Sequence, residues 1–128
     1  MALTKVIGKG IGAVDEITSD TAGSNNFVAG VNAGNSIASG GNDNTCVGDE
    51  AGTAITTGDN SVAIGYRAGD ASTTGSSNIA IGRDALGSDV AGNKSIAIGA
   101  GALETQNFSS STDSHNIAIG INAGIDLT

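Results

Sequence analysis

Apolar residues in this chain come in triplets rather than at helical spacing. Phe27-Val28-Ala29, Thr45-Cys46-Val47, Val62-Ala63-Ile64, Ile79-Ala80-Ile81, Ile96-Ala97-Ile98 and Ile117-Ala118-Ile119 each close on a glycine: Gly30, Gly48, Gly65, Gly82, Gly99 and Gly120. The outer positions of a triplet are large and mostly β-branched and the middle one is small. This alternation has the period of a strand whose two faces meet different neighbours.

The closing glycines lie 18, 17, 17, 17 and 21 residues apart, and a second series, Gly41, Gly58, Gly75 and Gly92, recurs every 17. Three residues after each closing glycine stands alanine (Ala33, Ala51, Ala68, Ala85, Ala102, Ala123), followed by Gly34, Gly52, Gly69, Leu86, Leu103 and Gly124. That pairing predicts a tight corner. The stretches between are Asn, Asp, Ser, Thr and Gly, as in Thr56-Thr57-Gly58-Asp59-Asn60, which are turn residues by their chemistry. No window supports a helix, because these residues recur too often and apolar positions do not fall three and four apart.

The pattern predicts an all-β chain: a β-solenoid or β-roll of about six 17-residue units over residues 25–128, with residues 1–24 as an amino-terminal arm and cap. Seventeen residues at roughly 3.3 Å trace about 56 Å, one flattened coil, and six coils at about 4.8 Å stack into a rod of about 30 Å. The large positions, Val62, Ile64, Ile79, Ile81, Ile96, Ile98, Ile117 and Ile119, are expected in the coil core. The small column, Cys46, Ala63, Ala80, Ala97 and Ala118, is expected to face outward, where small residues allow close approach of neighbouring subunits. A core this thin calls for oligomerisation, and a homotrimer is the economical assembly.

Composition narrows the function classes. Aromatics are 2% of the 128 residues, and 21 glycines accompany no proline and no Gly-X-Y period, so neither a thick-cored enzyme nor collagen fits. The formal charge of −8, from 13 acidic against 5 basic residues, argues against nucleic acid or an anionic membrane as partner. No apolar run approaches the length of a membrane span, and no ordinary secretory signal is expected at the amino end.

Candidate chemistry is sparse. Cys46 has no second thiol to pair with and occupies a column otherwise held by Val and Ala, the place of a small buried apolar residue. His115 falls in the polar lead-in with Asn25, Asp43, Asn60, Ser77 and Lys94, and reads as an exposed turn residue. Asp49-Glu50 aligns with Val31-Asn32, Tyr66-Arg67 and Arg83-Asp84, a freely variable solvent corner. Gly8-Lys9-Gly10-Ile11-Gly12 matches neither dinucleotide nor P-loop spacing. Gly40-Gly41-Asn42-Asp43-Asn44 lacks the nine-residue period of calcium-binding repeat arrays. No catalytic residue, cofactor or metal site is expected.

Asn60-Ser61-Val62-Ala63-Ile64-Gly65, Ser77-Asn78-Ile79-Ala80-Ile81-Gly82, Lys94-Ser95-Ile96-Ala97-Ile98-Gly99 and His115-Asn116-Ile117-Ala118-Ile119-Gly120 resemble the head repeats of trimeric autotransporter adhesins. They are equally similar to the Asn-Thr-Ala-Ile-Gly repeats of bacteriophage fibres and other virion appendages. The resemblance covers residues 25–124 and implies a trimeric β-roll. The longer period, with no export signal, coiled-coil stalk or membrane anchor expected, favours the phage branch.

Residues 1–14 carry Lys5 and Lys9 and no acid, whereas the rest of the chain sets three cations against 13 acids, a net −10. Openings of the Leu3-Thr4-Lys5-Val6 kind are similar to those of phage appendage proteins. The expectation is a non-enzymatic virion structural protein at the particle surface, a trimeric capsid decoration (cement) protein. Its arm would dock Leu3, Val6, Ile7, Ile11 and Val14 onto the major capsid protein or another virion protein. A short tail or capsid fibre, or a receptor-binding adhesin, is the alternative, and an ice-binding solenoid a remote one.

Overall fold

The computed structural model describes residues 17–18 and 21–127; the expected docking residues Leu3, Val6, Ile7, Ile11 and Val14 lie outside them. Within the described residues the chain is all-β, with no helix, and winds into a parallel β-solenoid of about five turns.

Strands β2 (Phe27–Ala29), β3 (Thr45–Val47), β4 (Val62–Ile64), β5 (Ile79–Ile81), β7 (Ile96–Ile98) and β9 (Ile117–Ile119) stack in parallel. Their register keeps every column of the repeat intact, with Cys46 on Ala63, Ala63 on Ala80, Ala80 on Ala97 and Ala97 on Ala118. At the amino-terminal edge, β1 (Ile17–Thr18) pairs antiparallel with β2. β6 (Gly92–Asn93) and β8 (Thr112–Asp113) form a separate parallel pair, β8 lying in the coil that carries the longer 21-residue spacing and β6 in the coil before it.

Left-handed backbone makes the corners. The closing glycines have φ between 124° and 138°, a region open only to glycine. For the first five of them, a Cβ would come within 2.4–2.8 Å of the next closing glycine's backbone. The column Asn25, Asp43, Asn60, Ser77, Lys94 and His115 also turns at positive φ, which suits its Asn and Asp members best. Leu86 and Leu103 hold the same left-handed conformation as Gly34, Gly52 and Gly69, and bury their side chains.

The strand faces are the reverse of the expected ones. Val28, Cys46, Ala63, Ala80, Ala97 and Ala118 point into the coil and are buried within a single chain, with Ala33, Ala51, Ala68, Ala85 and Ala102, Ile37, Ile55, Leu86 and Leu103. The small column Cys46, Ala63, Ala80, Ala97 and Ala118 is therefore coil core and not an intersubunit surface. Val62, Ile79, Ile81, Ile96 and Ile98 are only half-buried, and Ile64, Ile117 and Ile119 are exposed, so this set lies outside the coil core. The reason is the thinness of the coil. The corner backbone sits directly against the strand, so that a Cβ on Gly52 would be 2.7 Å from Cys46 Sγ, and one on Gly69 would be 3.8 Å from the Cβ atoms of both Ala63 and Ala80. No isoleucine fits between walls that close.

Candidate functional site: the outward face of the sheet

The residues that the inversion frees form the most distinctive surface of the molecule. Two columns stand on the outer face: Phe27, Thr45, Val62, Ile79, Ile96 and Ile117, and beside them Ala29, Val47, Ile64, Ile81, Ile98 and Ile119. From β4 to β9 both columns are entirely Val and Ile. Isoleucine and valine are stiff at χ1 and already aligned by the parallel register, so covering them costs little side-chain entropy. A contiguous apolar sheet face of this kind is a candidate interaction surface.

Beyond the closing glycines the face meets a rim of mixed character. The column next to it reads Val31, Asp49, Tyr66, Arg83, Ala100 and Ile121, with Val31, Tyr66 and Ile121 exposed. Arg67 Nε lies 2.8 Å from Asp70 Oδ2 and 3.8 Å from Glu50 Oε2, and Arg83 pairs with Asp84. On the opposite corner Lys94 pairs with Asp113, and its hydrogen bond holds the Asp113 carboxyl below the ordinary range. These pairs are solvent-exposed and contribute little stability.

A polar ladder, unforeseen in the sequence reading, supports the face from inside. The column immediately before each triplet is Asn26, Asn44, Ser61, Asn78, Ser95 and Asn116. Asn44 N–H donates to Asn26 Oδ1, Ser61 N–H to Asn44 Oδ1, Asn78 N–H to Ser61 Oγ, and Ser95 N–H to Asn78 Oδ1, at 2.9–3.2 Å. The amide groups of Asn26, Asn44 and Asn78 reach across the coil and donate to the carbonyls of Gly41, Gly58 and Gly92. Asn26, Asn44 and Asn78 thus each tie their coil to the next and close their own turn. The signal was present in the recurrence of Asn and Ser at one position, which only a buried amide or hydroxyl role explains.

The other singled-out residues take structural places. Cys46 is buried, and burial pushes its thiol up to about 11. His115 is exposed at a left-handed corner, and Glu50 turns another. Among the described residues no three of His, Cys, Asp and Glu converge to hold a metal ion. The chain matches no protein-family model, no curated protein and no solved structure.

Proposed function

We propose that this chain is a non-enzymatic structural protein that works as a homotrimer, its three solenoids packed through the outward Val and Ile columns. The observation that carries the reading is that face itself: in β4, β5, β7 and β9 every outward position is a β-branched aliphatic residue, arrayed on a chain of net charge −8. Like-charged chains associate only where a desolvated apolar patch outweighs their repulsion, and this face is such a patch. A three-fold arrangement buries one flat face per chain around a common axis and leaves the acidic corners outward.

Within that class the reading is a capsid decoration protein at the surface of a phage particle. It rests on the resemblance of the repeats to virion appendage repeats and on the basic, apolar opening of residues 1–14, which would bridge neighbouring coat subunits. A tail or capsid fibre is the second reading, because the same repeats occur in both settings. The test compares the full chain with a variant lacking residues 1–14 on purified heads and purified tails of the encoding phage. Decoration expects both proteins to sediment as trimers and only the full chain to bind heads. Equal head binding by the shortened chain removes the arm from the mechanism, and binding to tails alone makes the protein a fibre.

A further inference from the structure

The two ends of the solenoid differ. Among the described residues β9, last in the sheet order, presents an open parallel edge. Every earlier coil makes four recurring backbone hydrogen bonds to the coil above it, as in Phe27 N–H to Asn44 O, Gly48 N–H to Ala29 O, Glu50 N–H to Val31 O and Gly34 N–H to Ala51 O. The equivalent groups of the last coil are the N–H groups of Ile117 and Gly124 and the carbonyls of Ile119 and Ile121. Among the described residues none of these has a partner. A Cβ on Gly99 would strike Gly120 O at 2.4 Å, whereas one on Gly120 would meet only Ala123 Cβ at 3.9 Å, so the place of a further closing glycine stands open. Ile117 and Ile119 are 68% and 69% exposed, while Ile96 and Ile98 one coil below are half-buried.

The edge that would complete this one belongs to the same chain. β2 carries the next register unchanged: Phe27, Val28 and Ala29 would stand on Ile117, Ala118 and Ile119, with Gly30 over Gly120. Ile117 N–H would donate to Asn26 O of a second copy and Gly124 N–H to its Ala33 O. That copy's Gly30 and Asn32 N–H groups would donate to the Ile119 and Ile121 carbonyls. Such a head-to-tail contact repeats without closing and so builds filaments. In the folded chain the β2 edge is taken, because Ile17–Thr18 pairs antiparallel on Ala29 and Val28.

We propose that β1 is an edge guard, occupying the β2 edge that would otherwise accept the open β9 edge of a second copy, and so limits the protein to short rods. A two-residue antiparallel strand reverses the chain direction at that edge and ends the parallel stacking, which is how sheet proteins prevent edge-to-edge growth. The inference holds whether one solenoid or three make up the rod.

The test uses the full chain carrying Thr18→Pro or, separately, Ile17→Pro, since proline removes a backbone donor and disfavours pairing. Folding is checked by far-UV circular dichroism and size by sedimentation velocity and electron microscopy. The expected result is wild-type dichroism with an apparent mass that at least doubles and grows with concentration into filaments. Ile117→Pro, which removes a docking donor from the open edge, should abolish that growth in either background. Excess wild-type chain should shorten the filaments by capping their β2 ends. Two folded proline variants that keep the wild-type mass overturn the proposal. Loss of fold in both also overturns it, because a guard must be dispensable to the coils it protects.

Discussion

Gln106 Nε2 donates a 2.6 Å hydrogen bond to Asp89 Oδ2, and both side chains are only 1% exposed. Asp89 Oδ1 also accepts the N–H groups of Gly92 and Phe108 at 3.0 Å, and Gln106 Oε1 accepts from Asn116. This polar pair sits in the column that Ile37 and Ile55 hold in earlier coils. The exchange follows the corner residue three positions before. Where that residue is Gly34 or Gly52, an isoleucine fills the space, as the 2.8–2.9 Å approach of a built Cβ to Ile37 and Ile55 Cδ1 shows. Where it is Leu86 or Leu103, the leucine fills the interior and the later position is polar.

Gly69 and Ser72 break this rule, since neither supplies bulk, and a Cβ on Gly69 would touch nothing closer than 3.8 Å. Ser72→Ile should therefore stabilise the chain by about 1–2 kcal/mol by restoring the Ile37–Ile55 column. Asp89→Ile should do the opposite, losing about 3 kcal/mol, because it crowds Leu86 and leaves the donors of Gly92, Phe108 and Gln106 without an acceptor. Chemical denaturation of the two variants gives both signs, and equal effects would contradict this account of the interior.

Asn44 bonds in both directions of the ladder. Asn44→Ala strips the acceptor from Ser61 N–H and the donor from Gly58 O, two buried backbone groups, and should cost about 2–4 kcal/mol. Asn42→Ala removes an acceptor from the Ser24 N–H and a donor from the Gly40 carbonyl, both exposed to water, and should cost well under 1 kcal/mol. Urea midpoints measured side by side test the contrast.

Spacing, strand positions and turn chemistry were legible because each column must repeat one backbone conformation, and few residue types tolerate it. The direction of the strands was not. Large-small-large alternation says that the two faces differ, and the habit of placing large residues inside put Ile64 and Ile81 in the core. The corrective lay in the corner columns: Ala51 and Gly52, or Ala68 and Gly69, supply an opposing wall with no side-chain depth, which leaves room for Ala63 and Ala80 alone. The Asn26–Asn116 ladder was visible as a column, but its role depends on which side of the strand is buried, and so it inherited the same inversion.

Burial gives Cys46 a measurable consequence. With its thiol pushed up to about 11, only about a thousandth is thiolate at pH 8, and the side chain has no solvent access. Labelling by a thiol reagent at pH 8 should be undetectable in the native protein and should track global unfolding when denaturant is added. Raising the pH toward the thiol's value should not restore labelling unless the coil opens, because access limits the reaction. Rapid labelling of native protein at pH 8 would place Cys46 outside the interior.

Ala80 and Ile81 are sequence neighbours on opposite faces of β5, and the two faces make opposite predictions for one substitution. Ala80→Asp puts a carboxylate between Ala63 and Ala97 inside the coil, where an unpaired charge costs several kcal/mol and no space exists. It should abolish folding even in an isolated chain, read as loss of the β-type dichroism spectrum. Ile81→Asp puts the same group on the outward face, where a lone chain leaves it hydrated. It should preserve the spectrum while shifting sedimentation from trimer to monomer, since three carboxylates would meet in one desolvated layer. An Ile81→Asp protein that stays trimeric moves the subunit contact to another surface, and an Ala80→Asp protein that folds normally would refute the inward direction of the small column.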